Sequence, residues 1–167
     1  MLRIVNDTHM RKQLLFILLL ILTMLNCYSQ GWIKQQSNSS AYLLDVFFVN
    51  SEIGFVVGYD GVILKTTDGG NQWIAKSCGT TKNLNSVYFV DSLTGFTCNY
   101  HELYKTTDGG DTWLMQVDSM SSLSNIHFIG QDTGFAMGSG RMLMTSDNGT
   151  TWINKGSATL SYFSFWA

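Results

Sequence analysis

Three carboxylates recur along the chain at spacings of 40 and 39 residues: Asp68, Asp108 and Asp147. Acids repeated in this way could serve as general acids, nucleophiles or calcium ligands. Each sits in the same octet: Thr66-Thr67-Asp68-Gly69-Gly70-Asn71-Gln72-Trp73, Thr106-Thr107-Asp108-Gly109-Gly110-Asp111-Thr112-Trp113 and Thr145-Ser146-Asp147-Asn148-Gly149-Thr150-Thr151-Trp152. A catalytic acid is not needed three times in one identical setting. The octet also lacks the full ligand set of a calcium loop. It does have what a tight turn needs. The Asp can accept a backbone N–H two residues on. The next residue, usually Gly, can take a backbone conformation that a Cβ would penalise. The Trp can fold back to bury its ring while its N–H finds a partner. Thr66, Asp68, Gly70 and Trp73 therefore read as structural, as do Thr106, Asp108, Gly110 and Trp113, and Thr145, Asp147, Gly149 and Trp152.

The elements around the octets repeat too. Val46-Phe47-Phe48-Val49 aligns with Val87-Tyr88-Phe89-Val90 and Ile126-His127-Phe128-Ile129. Gly54-Phe55 aligns with Gly95-Phe96 and Gly134-Phe135. One unit thus holds an apolar strand, a turn ending in Gly, a second strand from Phe, a short turn, a third strand into the box, and a fourth strand from Trp. The first strand is apolar on successive residues, so both of its faces should be buried. Asp60-Gly61 and Ser139-Gly140 should supply positive φ for tight hairpins. Four antiparallel strands in about 40 residues is the blade of a β-propeller. The expected fold is all-β, with three complete blades at about 43–77, 84–117 and 123–156. A lone outer strand is expected at 32–36 and the start of a further blade at 160–167, so the ring is incomplete and open. Closure takes about four to eight blades. The two readings are a truncated reading frame and a short chain that closes by oligomerising. Open edges invite self-association in either case.

The box pattern S/T-x-D-x-G-x-x-W resembles the Asp-box, or BNR repeat, of sialidases, sortilin-type receptors and xyloglucanases. The longer unit is most similar to the photosystem II stability/assembly factor family, whose repeats also occur in exported bacterial proteins. That resemblance implies a propeller that binds a partner protein, with an arginine-lined surface. The chain departs from the family there: beyond residue 29 it holds one arginine, Arg141.

Function should sit in the chemically variable loops of such a scaffold. The boxes barely vary between blades, whereas the turns between second and third strands do. Tyr59 and Asp60, then Tyr100, His101 and Glu102, then Arg141 are the candidates for a ligand surface. No cofactor or metal is expected. His127 aligns with Phe47 and Tyr88 and reads as a ring packed between blades. Cys98 reads as a small core residue and Cys78 as a rim residue, their disulfide state left open.

Residues 1–29 read as a signal peptide. Arg11 and Lys12 precede an apolar run from Leu14 to Leu25, and small residues follow up to Ser29. Met10 would open a tidier signal than Met1. The run is short for a membrane span, so export without a transmembrane segment is expected. Lipidation at Cys27 is a variant of that reading. From residue 30 the chain carries seven basic and eleven acidic residues, a net charge of −4. Nucleic acid is an unsuitable partner, since phosphate neutralisation needs clustered Lys or Arg. A sialidase needs an arginine cluster, and a xyloglucanase needs two facing carboxylates. The favoured reading is a non-catalytic exported module that binds protein or glycan. The alternatives are a glycoside hydrolase fragment and a photosystem II assembly factor-like protein.

Overall fold

The computed structural model describes residues 31, 33–118 and 123–156. The expected signal peptide, Trp32 and the expected blade start at 160–167 lie outside these residues. Twelve strands form three four-stranded antiparallel sheets, each with its strands in sequence order. Blade 1 contains β1 (Leu43–Phe48), β2 (Gly54–Gly58), β3 (Ile63–Thr66) and β4 (Ile74–Lys76). Blade 2 contains β5 (Ser86–Phe89), β6 (Gly95–Cys98), β7 (Leu103–Thr106) and β8 (Leu114–Val117). Blade 3 contains β9 (Leu123–Ile129), β10 (Thr133–Gly138), β11 (Arg141–Thr145) and β12 (Ile153–Asn154). The register repeats: Gly54 faces Thr66, Gly95 faces Thr106 and Gly134 faces Thr145. The architecture is a partial, open β-propeller. No helix among the described residues is long and apolar enough to cross a membrane.

Adjacent blades lock through a repeated aromatic contact. Phe55 on β2 stacks on Phe89 of blade 2 with centroids 3.9 Å apart, and Phe96 on β6 stacks on Phe128 of blade 3 at 4.6 Å. The same two rings fill the notch over the box glycine of the following blade. A Cβ at Gly110 would lie 2.6 Å from Phe55, and one at Gly149 would lie 2.3 Å from Phe96. Glycine is therefore required there by close approach. Each first-strand Phe meets its own box Trp edge-on, as in Phe89–Trp113 at 6.0 Å and Phe128–Trp152 at 6.1 Å. Burying a Phe in this way contributes about 1.5–3 kcal/mol.

Three expectations change. First, β1 is not buried on both faces: Val46 is 57% and Phe48 43% exposed, against 3% for Val87 and Phe89. No blade stands in front of β1 among the described residues. Second, residues 33–36 form no strand. An outer strand needs an inner partner for its ladder, and the described residues contain none for it. Third, only Gly140 of the Ser139-Gly140 pair takes positive φ, whereas Asp60 and Gly61 both do. Cys78 and Cys98 are free thiols. Cys98 is buried, as expected of a core residue, but Cys78 is half-buried against the blade 1–2 core rather than a bare rim residue. His127 packs edge-on to Tyr88 at 5.3 Å.

Candidate functional site

The boxes close on themselves. The Thr66, Thr106 and Thr145 hydroxyls are buried, and each donates to its box Asp at 2.8 Å. Each also accepts the amide N–H of Gly70, Gly110 or Gly149 at 2.8–2.9 Å. The aspartates accept further along the chain than the expected two residues. Asp68 takes the N–H of Gln72, Asp108 that of Thr112 and Asp147 that of Thr151, all four residues on, because the intervening turn carries two left-handed residues. At the third box one of those residues is Asn148, with φ 54°, which its short polar side chain tolerates. The Thr112 and Thr151 hydroxyls and amides, with the box threonines, hold Asp108 and Asp147 down at about 2. The amide of Gln72 does most to lower Asp68. The Trp expectation holds at Trp113, whose ring N–H donates to the Gly110 carbonyl at 3.2 Å, but at Trp152 that nitrogen is buried with no hydrogen-bond partner among the described residues. Carboxylates spent on their own turn have little left for a ligand.

The opposite end of each blade carries the turn between second and third strands, together with the loops that join the blades. The three turns are built differently. In blade 1 the chain turns through Asp60 and Gly61 at positive φ, and the Asp60 amide donates to Asn83 Oδ1 at 3.2 Å. In blade 2 a side chain shapes the turn. Asn99 is buried, and its Oδ1 accepts the amides of His101 at 2.8 Å and Glu102 at 2.9 Å. Its Nδ2 donates to Glu102 Oε2 at 2.6 Å, and the Tyr104 hydroxyl donates to that same oxygen at 2.8 Å. Lys82, from the loop between blades 1 and 2, donates to Glu102 Oε1.

Glu102 is therefore a buried member of this network. It is 7% exposed, its carboxylate enclosed by Asn99, Tyr104 and Lys82. Burial pushes its carboxyl up. The hydrogen bonds from Lys82, Asn99 and Tyr104, with the Lys82 charge, outweigh that and hold it at about 2. Burial and the bond to Glu102 push the Tyr104 hydroxyl up to about 12.

Over this network lies a cleft of about 400 Å³ lined by Lys82, Asn83, Asn99, Tyr100 and His101. Tyr100 and His101 are exposed at its rim, and Asp60 adjoins it through Asn83. Tyr59 stands exposed beside Tyr42, with ring centroids 5.4 Å apart. The structure thus gathers Asp60, Tyr100, His101 and Glu102 around one loop. Arg141 heads β11 in blade 3 and does not line the cleft. A smaller cleft of about 190 Å³ lies at the box end, but its cation, Lys105, already donates to the Asn148 carbonyl at 2.5 Å. Sequence reasoning missed Lys82, Asn99 and Tyr104. Two of them carried a signal: Asn99 stands where blades 1 and 3 have Gly58 and Gly138, and Tyr104 where they have Leu64 and Leu143.

The family described as photosynthesis system II assembly factor YCF48 matches residues 25–118, more than half of the chain. The chain belongs to the YCF48 family. No curated protein matches it. Among solved structures it is similar to YCF48 bound to D1 peptide, at 24% identity and a TM-score of 0.63, covering 73% of this chain and 42% of that one. It is also similar to YCF48 from Cyanidioschyzon merolae, at 21% identity and a TM-score of 0.64, covering 74% and 39%. An ancestral GH74 enzyme matches at 14% identity and a TM-score of 0.61, covering 79% of this chain and 20% of that enzyme. The chain spans less than half the length of either YCF48 structure. These likenesses place the fold as the BNR-type propeller shared by YCF48 and GH74 proteins.

Proposed function

We propose that this chain is an exported, non-catalytic propeller module that binds a protein partner, through the cleft beside the second turn of blade 2. The observation that carries the reading is the cleft itself: a concave site with an exposed tyrosine and histidine at its rim, over a floor locked by a satisfied polar network. Rigid floors with aromatic rims suit recognition, because little side-chain entropy is lost on binding. Membership of the YCF48 family and the peptide bound by one of its members favour a protein ligand over a glycan.

The same network argues against hydrolysis. A glycosidase acid must hold a proton near neutral pH, whereas Glu102 is held ionised with both oxygens engaged. A sialidase needs several arginines, and Arg141 stands alone beyond residue 29. Export is supported by the basic, apolar and small-residue order of residues 11–29.

Selection of a displayed random-peptide library against the full chain, followed by titration, tests this reading. Selected peptides should bind the parent chain. They should lose at least tenfold in affinity to Tyr100→Ala, with the melting temperature unchanged. Turnover of xyloglucan or aryl-glycoside substrates, or peptide binding indifferent to Tyr100 and His101, would overturn it.

A further inference from the structure

The third box differs from the other two by a residue that can react with its own backbone. Where boxes 1 and 2 hold Gly69 and Gly109, box 3 holds Asn148, and Asn148-Gly149 is the one Asn-Gly pair in the sequence. In such a pair the glycine amide nitrogen can attack the asparagine Cγ and close a succinimide ring, and glycine has no side chain to hinder that closure. The closed box holds the reaction off. The peptide unit between Asn148 and Gly149 is pinned at both ends: its carbonyl accepts Lys105 Nζ at 2.5 Å, and its N–H donates to the buried Thr145 hydroxyl at 2.8 Å. The Asn148 N–H adds another tie, to the Asp132 carbonyl at 3.0 Å. Ring closure has to turn that peptide plane, so these bonds must break first. Gly149 also lies under the Phe96 ring, which crowds any such turn. Asn148 Oδ1 is buried and meets no hydrogen-bond donor among the described residues. Negative charge pushed onto it during attack would therefore go unstabilised.

We propose that Asn148 is a latent deamidation site, kept unreactive by the closed third box and released when that box opens locally. The Gly149 nitrogen loses its proton and attacks Cγ of Asn148. The new N–C bond forms as the bond from Cγ to the side-chain nitrogen breaks, and that nitrogen leaves with the proton as ammonia. Water then opens the succinimide at one carbonyl or the other, to give aspartate or isoaspartate at position 148. Isoaspartate lengthens the main chain by a methylene, so the Gly149 amide can no longer meet Thr145 while Gly149 sits beneath Phe96. Opening of box 3 is thus recorded covalently, at the junction of blades 2 and 3. Boxes 1 and 2 have no side-chain amide at this position and reclose unchanged.

The test is mass spectrometry of the tryptic peptide 142–155 from the full chain aged at neutral pH, with and without urea. The folded parent should keep its amide, and the parent in urea should lose it much faster. Thr145→Ala and Lys105→Ala each free one end of the pinned peptide unit. In native buffer each should deamidate roughly tenfold faster than the parent, the factor that about 1.4 kcal/mol of easier opening gives. In urea each should match the parent, because the box is already open. Thr106→Ala removes the same hydroxyl from box 2 and should leave the native rate near the parent's. Circular dichroism checks that each variant is folded. Should Thr145→Ala fail to fold, Lys105→Ala carries the test, since its side chain is half-buried and shapes no turn. Deamidation of the folded parent as fast as in urea overturns the proposal, as does a folded Lys105→Ala chain that deamidates at the parent's rate. Acceleration by Thr106→Ala equal to that by Thr145→Ala would mean that global unfolding exposes the site, and would reject the local gate.

Discussion

At the box end of every blade the turn is closed by the same atoms: a buried threonine hydroxyl, an aspartate oxygen and a glycine amide within 2.8–2.9 Å. At the opposite end no two blades agree. Blade 1 turns on left-handed backbone at Asp60 and Gly61, blade 2 on the Asn99 side chain, and blade 3 on Gly140. The difference shows how the scaffold separates its tasks. A turn that satisfies its own polar groups is interchangeable between blades. A turn that borrows Lys82 from the neighbouring loop is tied to one place, and that place carries the larger cleft.

The comparison can be broken most severely at Glu102. Replacing it by leucine strands the Asn99 amide and the Tyr104 hydroxyl, and should cost about 3 kcal/mol in urea unfolding, at the upper range for a charged hydrogen bond. Thr106→Ala should cost about 1–2 kcal/mol, since the Gly110 amide loses its buried acceptor. The same change at Thr66 or Thr145 should cost a similar amount if the boxes are truly equivalent.

The pH profile sharpens the comparison without a mutation. Asp108, Asp147 and Glu102 are held at about 2 in the folded chain, below their ordinary values of 3.8 and 4.5. The unfolded chain therefore binds more protons in that window, and stability rises with pH there. The melting temperature should be flat from neutral pH to about 5 and fall as pH drops toward 2. Tyr104, raised to about 12, works at the other end: its contribution is complete below its ordinary value of 10 and is lost above it. Glu102→Gln should remove only its own share of the acid loss and leave that of the boxes. The smallest effect belongs to Tyr100→Ala and His101→Ala. Both residues are exposed, so stability should change by less than about 0.5 kcal/mol.

The blades were legible because the repeat is local: strand, turn and box residues recur in register, and the ladders follow that register. Burial was less so, because it depends on neighbours. Val46 and Val87 occupy the same position in their repeats, yet among the described residues only Val87 has a blade in front of it. The box aspartates were legible as turn formers, but not the reach of their acceptors, which depends on two successive left-handed residues. Glu102 is legible as a turn residue, but its burial is not, because Lys82 reaches it from the neighbouring loop. Asn99 and Tyr104 could have been found as polar departures at positions that are glycine or leucine in the other blades.

Amide hydrogen exchange of the full chain, with and without a selected peptide, tests the central claim most directly. Binding at the cleft predicts new protection confined to residues 80–84 and 99–102, with the three boxes unchanged. Protection at 66–73, 106–113 or 145–152 instead would contradict it, and would move recognition to the box face.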